Sequence, residues 1–172
     1  MEDIYAMLCT SAEAAKLLKK LNEEKFSLEN KENQGSTFTA AVTEDIEMAR
    51  PEYSYEETQA GIEELDAKIR TVKHAINTFN LTHEIPDFGM TIDQALIYIP
   101  QLSARKSRLA SMKERLPKER DSIKPGGIIE YTYTNYDVKK ASEDYYKVTD
   151  ELGKLQTALG VLNNSVTFEI DV

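Results

Sequence analysis

Apolar residues recur along most of this chain at the three- and four-residue spacing of a helix, and the spacing predicts four helices. In the first, Ile4, Met7, Ser11, Ala14, Leu18, Leu21, Lys25 and Leu28 share one stripe, which fades toward Lys31 and ends in the polar run ENKENQG. The second stripe is cleaner: Tyr55, Thr58, Ile62, Leu65, Ile69, Val72, Ile76 and Phe79, with Thr58 its single polar member. Ser54 followed by Glu57 marks its start as a capping box, in which each side chain bonds the other residue's free backbone N–H. Thr91 with Gln94 opens the third helix in the same way, and Ile92, Ala95, Leu96, Ile99, Leu102, Leu109, Met112 and Leu116 carry it on. Pro100 lies inside and removes one hydrogen bond. The fourth has Val138, Ala141, Tyr145, Val148, Leu152, Leu155, Leu159 and Leu162 on its seam, behind an N-cap at Asp137 or Asn135.

Narrow seams with charged flanks are made by helices that pack lengthwise at shallow angles. The expected fold is therefore mainly α: one domain over 1–172, a long antiparallel helical bundle or coiled coil, with a small β-element. The strands come from three runs of period-two alternation, near 37–43, 128–134 and 165–171. Lys124-Pro125-Gly126-Gly127 fits a type II turn leading into the second run. IIEYTYTN is expected to pair with SVTFEIDV and to close one end of the bundle with its aromatic rings. A stacking platform for bases or sugars is the sharper alternative for those tyrosines. Residues 33–53 are a loop with a possible short helix before Pro51.

Composition adds bounds. A chain of 172 residues can bury a sizeable core without staples. Its one cysteine, Cys9, excludes an intrachain disulfide and falls among apolar neighbours, as a small buried thiol does. The opening MEDIYAMLCT is acidic where a signal peptide is basic, and no stretch approaches the ~18–20 apolar residues of a membrane span. A cytoplasmic chain with no membrane span is expected.

The net charge is −9, which argues against general nucleic-acid binding. The charge is unevenly spread, however: residues 105–124 hold eight basic side chains against three acidic ones. Pairing with the acidic run Glu56, Glu57, Glu63, Glu64 and Asp66 on a neighbouring helix is the plainer expectation. The alternative is a face for an anion or a partner, made of Arg105, Arg108, Lys113, Arg115, Lys118 and Arg120.

Catalytic signatures are not found. His74 and His83 lack cysteine partners and HExxH spacing, and no Glu precedes a His by three residues as di-iron helices require. There is no GxSxG, Walker A or GxGxxG pattern. No catalytic residue, metal ligand or cofactor is nominated.

From the second helix onward the order of features resembles the septicolysin-like family of uncharacterised bacterial coiled-coil proteins. IRTVKHAINTFN, Thr82 and Gly89 in the connector, Thr91-Ile92 with Ala95-Leu96, and YDVKKASEDYYKVTDELGKLQTALGVLNN with Thr167 and Glu169 carry the likeness. It departs at Asn164-Ser165, where the family has an aromatic, and in lacking an arginine-rich approach to the strand. The resemblance implies an all-helical, coiled-coil-rich, oligomeric protein, with no established activity and no catalytic residues to carry over. The leading expectation is a non-enzymatic structural or protein-interaction module that self-associates through its helical seams. The alternatives are an anion or nucleic-acid binder using 105–124, and a toxin-like protein or cryptic enzyme.

Overall fold

A computed structural model describes residues 6–121 and 129–171. Ile4 on the first stripe, Lys124 and the turn expected at 124–127 lie outside the described residues. The protein is mainly α with small antiparallel strand pairs. In chain order the elements are β1 (Ala6–Thr10), α1 (Ser11–Gly35), α2 (Ile46–Ala49), α3 (Tyr55–Thr82), β2 (Glu84–Ile85), β3 (Met90–Thr91), α4 (Ile92–Lys113), β4 (Lys118–Arg120), β5 (Tyr131–Tyr133), α5 (Val138–Ser165) and β6 (Thr167–Asp171). The chain divides into two compact units, Met1–Asn80 with Leu162–Val172 and Leu81–Val161.

Within the first unit α1 and α3 run antiparallel. Lys25 of α1 reaches Asp66 of α3 at 2.7 Å, and Glu32, two turns further along α1, accepts from Gln59, two turns earlier in α3. Asp66 is thus matched by Lys25 and Glu64 by Lys68, so these two acids of the α3 run are paired inside the unit. The core joins Cys9, Ala14, Leu21, Ile69, Val72 and Ile170, with Leu65, Ile76 and Phe168 packed on it. Burying each large aliphatic side chain contributes about 1.5–3 kcal/mol.

The first helix starts later than its apolar stripe suggests. Residues 6–10 are a strand paired antiparallel with β6, in the register Ala6↔Asp171 through Thr10↔Thr167. Thr10 then caps α1: its hydroxyl accepts from the Glu13 N–H, and the Glu13 carboxylate accepts from the Thr10 N–H at 2.9 Å. Met7, placed on the helical stripe by spacing, is a strand residue 39% exposed.

Two further strand expectations are corrected. Residues 37–43 form no strand: among the described residues no other strand pairs with their backbone, and without a ladder an alternating pattern has nothing to hold it extended. β5 does not pair with β6. It pairs with β4, a segment that carries no apolar alternation, while β6 is taken by β1. The connector before α4 folds into the two-residue strands β2 and β3, with Asp87 and Gly89 both at positive φ in the turn.

The second unit sets α4 antiparallel to α5. Tyr98 near the start of α4 donates to Glu151 at 2.7 Å, whereas Lys113 at its end lies over the Tyr145 ring, earlier in α5. Both halves of the Thr91–Gln94 capping box form, and Asp137 accepts from the Lys139 N–H as N-cap of α5. The α5 seam is buried at Ala141, Val148, Leu152, Leu155 and Leu159, as its spacing requires. α4 continues through Pro100.

Candidate functional site

The end of α4 turns at Pro117 into β4, which returns as β5. Together they form a two-stranded ribbon in the register Lys118↔Tyr133, Glu119↔Thr132, Arg120↔Tyr131. Hydrogen bonds outside the strands lengthen it, from Thr134 N–H to Pro117 O and from Asp121 N–H to Glu130 O. The Tyr136 hydroxyl donates to Met112 O at 2.8 Å and fixes the ribbon's exit beside the end of α4.

Side chains directly opposite each other in an antiparallel pair share a face, and alternate residues switch faces. One face of the ribbon therefore carries Lys118, Arg120, Tyr131 and Tyr133, and the other carries Glu119 and Thr132. The Lys118 ammonium lies 4.0 Å from the Tyr131 ring centre and 5.4 Å from that of Tyr133. The two rings are 6.4 Å apart and tilted by 50°. Such cation–π contacts contribute about 0.5–1 kcal/mol at exposed sites, enough to order the lysine over the rings.

Both rings are open to water, Tyr131 at 44% and Tyr133 at 62% exposure, so they do not close a bundle end. Their partner strand is charged and supplies no apolar surface to cover them.

The six basic residues singled out in the sequence are distributed differently from one another. Lys118 and Arg120 join the tyrosines on the ribbon. Arg108 and Arg115 are exposed and have no ion-pair partner among the described residues. Arg105 is exposed on α4; the Asp144 carboxyl is held below the ordinary aspartate range chiefly by its hydrogen bond to Lys140, with Lys147 and then Arg105 contributing less. Lys113 is engaged, bonded to Glu114 and 4.8 Å from the centre of the Tyr145 ring. The hydrogen bond to Glu114 raises the Lys113 ammonium above the ordinary lysine range.

The two tyrosines belong to the site on register alone. The signal in the sequence was Lys118-x-Arg120 opposite Tyr131-x-Tyr133, two period-two patterns that align only when the ribbon's pairing is known.

Elsewhere the chemistry is inert or dispersed. Cys9 is 3% exposed, and burial, assisted by Glu13, pushes its thiol above the ordinary range, which suppresses the thiolate. His74 is exposed on α3, and the ring Nδ1 of His83 lies 3.2 Å from the Thr82 hydroxyl. Among the described residues no three His, Cys, Asp or Glu side chains gather as metal ligands do, and no helix is long and apolar enough to cross a membrane.

No family model matches the chain, and no curated protein matches it. A solved structure similar in fold is that of a functionally unknown conserved protein from Corynebacterium diphtheriae, 18% identical, with a TM-score of 0.61 over 94% of this chain and 99% of that one. At that identity the likeness shows a shared fold and nothing of function.

Proposed function

We propose that this protein is a non-enzymatic interaction module that binds an acidic protein surface through the cation–tyrosine face of the β4–β5 ribbon. A second copy of the chain is the partner we favour. The observation that carries the reading is the register that sets Lys118 and Arg120 among two exposed tyrosine rings on one face. Tyrosine and arginine are the side chains over-represented at protein interfaces, because they offer apolar area with a polar tip at little entropic cost.

Charge supports self-recognition. The unit that comprises 1–80 and 162–172 holds 18 acidic and 9 basic residues, a net charge of −9, whereas the unit 81–161 holds 12 of each. The whole excess negative charge thus lies on one unit, and Lys118 and Arg120 of the ribbon belong to the other. A contact between unlike surfaces of two copies is heterologous and closes into a ring or continues as a filament. The α5 seam residues are already buried within the chain, which favours the ribbon over the seams as the surface for assembly. The resemblance to the septicolysin-like family agrees with an assembling, coiled-coil-rich protein.

Light scattering on a sizing column tests this at ~0.1 M and ~1 M salt, where the Debye length is roughly 10 Å and 3 Å. Self-association at low salt, falling to 19.5 kDa at high salt and in the Lys118→Glu/Arg120→Glu variant, is the expected result. A mass of 19.5 kDa under both conditions overturns self-recognition.

Nucleic acid is the second reading, favoured by the paired tyrosine rings beside Lys118, since bases stack on aromatic side chains. It requires single-stranded oligonucleotide to bind with a steep salt dependence that the same double variant removes. The excess negative charge of the chain opposes it.

A further inference from the structure

The connector between α1 and α3, residues 36–54, is an arm that displays aliphatic side chains to water. Val42 is wholly exposed, Met48 is 88% exposed and Ile46 57%. Connectors of this length are uncommon in compact units, and those that occur often serve binding. Apolar side chains gathered at the surface mark contact with another molecule, whereas single scattered ones do not.

Local bonds give the arm a set shape. The Ala41 N–H donates to the Glu44 carboxylate at 2.8 Å, and the Glu47 N–H donates to Asp45, the N-cap of α2, at 2.9 Å. Arg50 donates two hydrogen bonds to Glu47, at 2.8 and 3.0 Å, and lies 5.3 Å from the centre of the Phe38 ring. Tyr53 ties the end of the arm to α1, its hydroxyl donating to Glu32 at 3.3 Å. A surface shaped in advance loses less entropy when it binds.

The arm is also acidic. It holds Glu44, Asp45, Glu47 and Glu52 against Arg50, a net charge of −3. Its partner must therefore offer apolar area edged by cations. Lys19, Lys20, Lys68, Lys140 and Lys154 are each matched by a carboxylate four positions away on their own helix. Lys118 and Arg120 make no ion pair among the described residues, and they share their face with two exposed tyrosine rings. Leu116 and Ile129, at opposite ends of the ribbon, are exposed as well. Cations and aromatic area on the ribbon thus answer carboxylates and aliphatic area on the arm. A carboxylate that already accepts one N–H keeps lone pairs for a second donor.

We propose that the arm of one copy, at residues 42–52, docks on the Lys118–Arg120–Tyr131–Tyr133 face of a second copy. The inference rests on the ribbon reading above and names the surface that the ribbon meets.

Light scattering on a sizing column at ~0.1 M salt tests it. Val42→Ser/Met48→Ser trims the arm where both side chains lie in water, so the fold is kept. It is expected to weaken self-association at least about tenfold, the effect of losing one aliphatic anchor. The mass should fall toward 19.5 kDa, as in Lys118→Glu/Arg120→Glu. Each of these variants keeps the surface that the other lacks. Mixed in equal amounts, they are expected to form a species of twice 19.5 kDa that neither forms alone. Glu52→Lys reverses an exposed charge and is expected to weaken association too; it decides the matter if the serine variant is unstable. Undiminished association of the arm variant overturns the proposal and leaves the ribbon reading standing. A mixture that stays at 19.5 kDa does the same. Association that survives in the ribbon variant, or a wild-type mass of 19.5 kDa, removes both readings.

Discussion

The ring of Phe79 stacks on that of Phe168 with centres 4.6 Å apart and planes 24° from parallel, which fastens the last turns of α3 to β6. Phe79 is 2% exposed, so Phe79→Ala removes a full aromatic side chain from the interior and is expected to cost about 3–5 kcal/mol. Phe168→Ala should cost less, about 1–2 kcal/mol, because part of that ring is already in water. Urea unfolding midpoints of the two variants measure both effects.

Gly35 and Gly153 should respond to alanine in opposite directions. A Cβ on Gly35 would stand 2.7 Å from Tyr53 Cβ and 3.0 Å from its ring, so Tyr53 must move and its bond to Glu32 is lost. A destabilisation of about 1–3 kcal/mol is expected from such overpacking. Gly153 lies inside α5 with nothing within 4 Å of a new Cβ. There the alanine lowers the entropy lost on folding and should stabilise by about 0.4–1 kcal/mol. Thermal melts of the two variants give the two signs.

Acid should loosen the start of α1. The Glu13 carboxyl is held below the ordinary glutamate range, chiefly by the Thr10 N–H and next by the Thr10 hydroxyl. Its folded value is therefore lower than its unfolded one. The stability it adds is complete above the ordinary glutamate range and is lost as pH falls through that range to the folded value. Glu13→Gln should flatten this part of the stability–pH curve. An equally steep acid limb in the variant would mean that other carboxylates dominate it.

Cys9 should resist a thiol reagent while the protein is folded. Its side chain is 3% exposed and its thiol is held up by burial, so both access and thiolate are lacking. Rapid modification in urea with little in buffer is the expected contrast. Fast reaction of the native protein would show that β1 detaches readily from β6.

The helical stripes were legible because each seam repeats over many turns, so one misplaced residue hardly alters it. Strands of five residues give no such redundancy. Met7 fits both a heptad and an alternating run, and only its pairing with Ile170 decides between them. Thr37, Phe38, Thr39 and Ala40 alternate as a strand does, yet no strand among the described residues supplies the backbone bonds. The ribbon was half legible. Tyr131 and Tyr133 read as strand, but their partners Lys118 and Arg120 look like loop residues between two prolines.

The β1–β6 pairing also sets an order of events during synthesis. Thr10 and Thr167 are the nearest partners in the ladder and stand 157 positions apart, so β1 leaves the ribosome long before its neighbour exists. The segment 81–161 is contiguous and can fold as it emerges, whereas the unit on either side of it must hold one edge open until β6 is made. During that interval Met7 and Leu8 are carried on an unpaired strand, the condition under which nascent chains attract chaperones or one another.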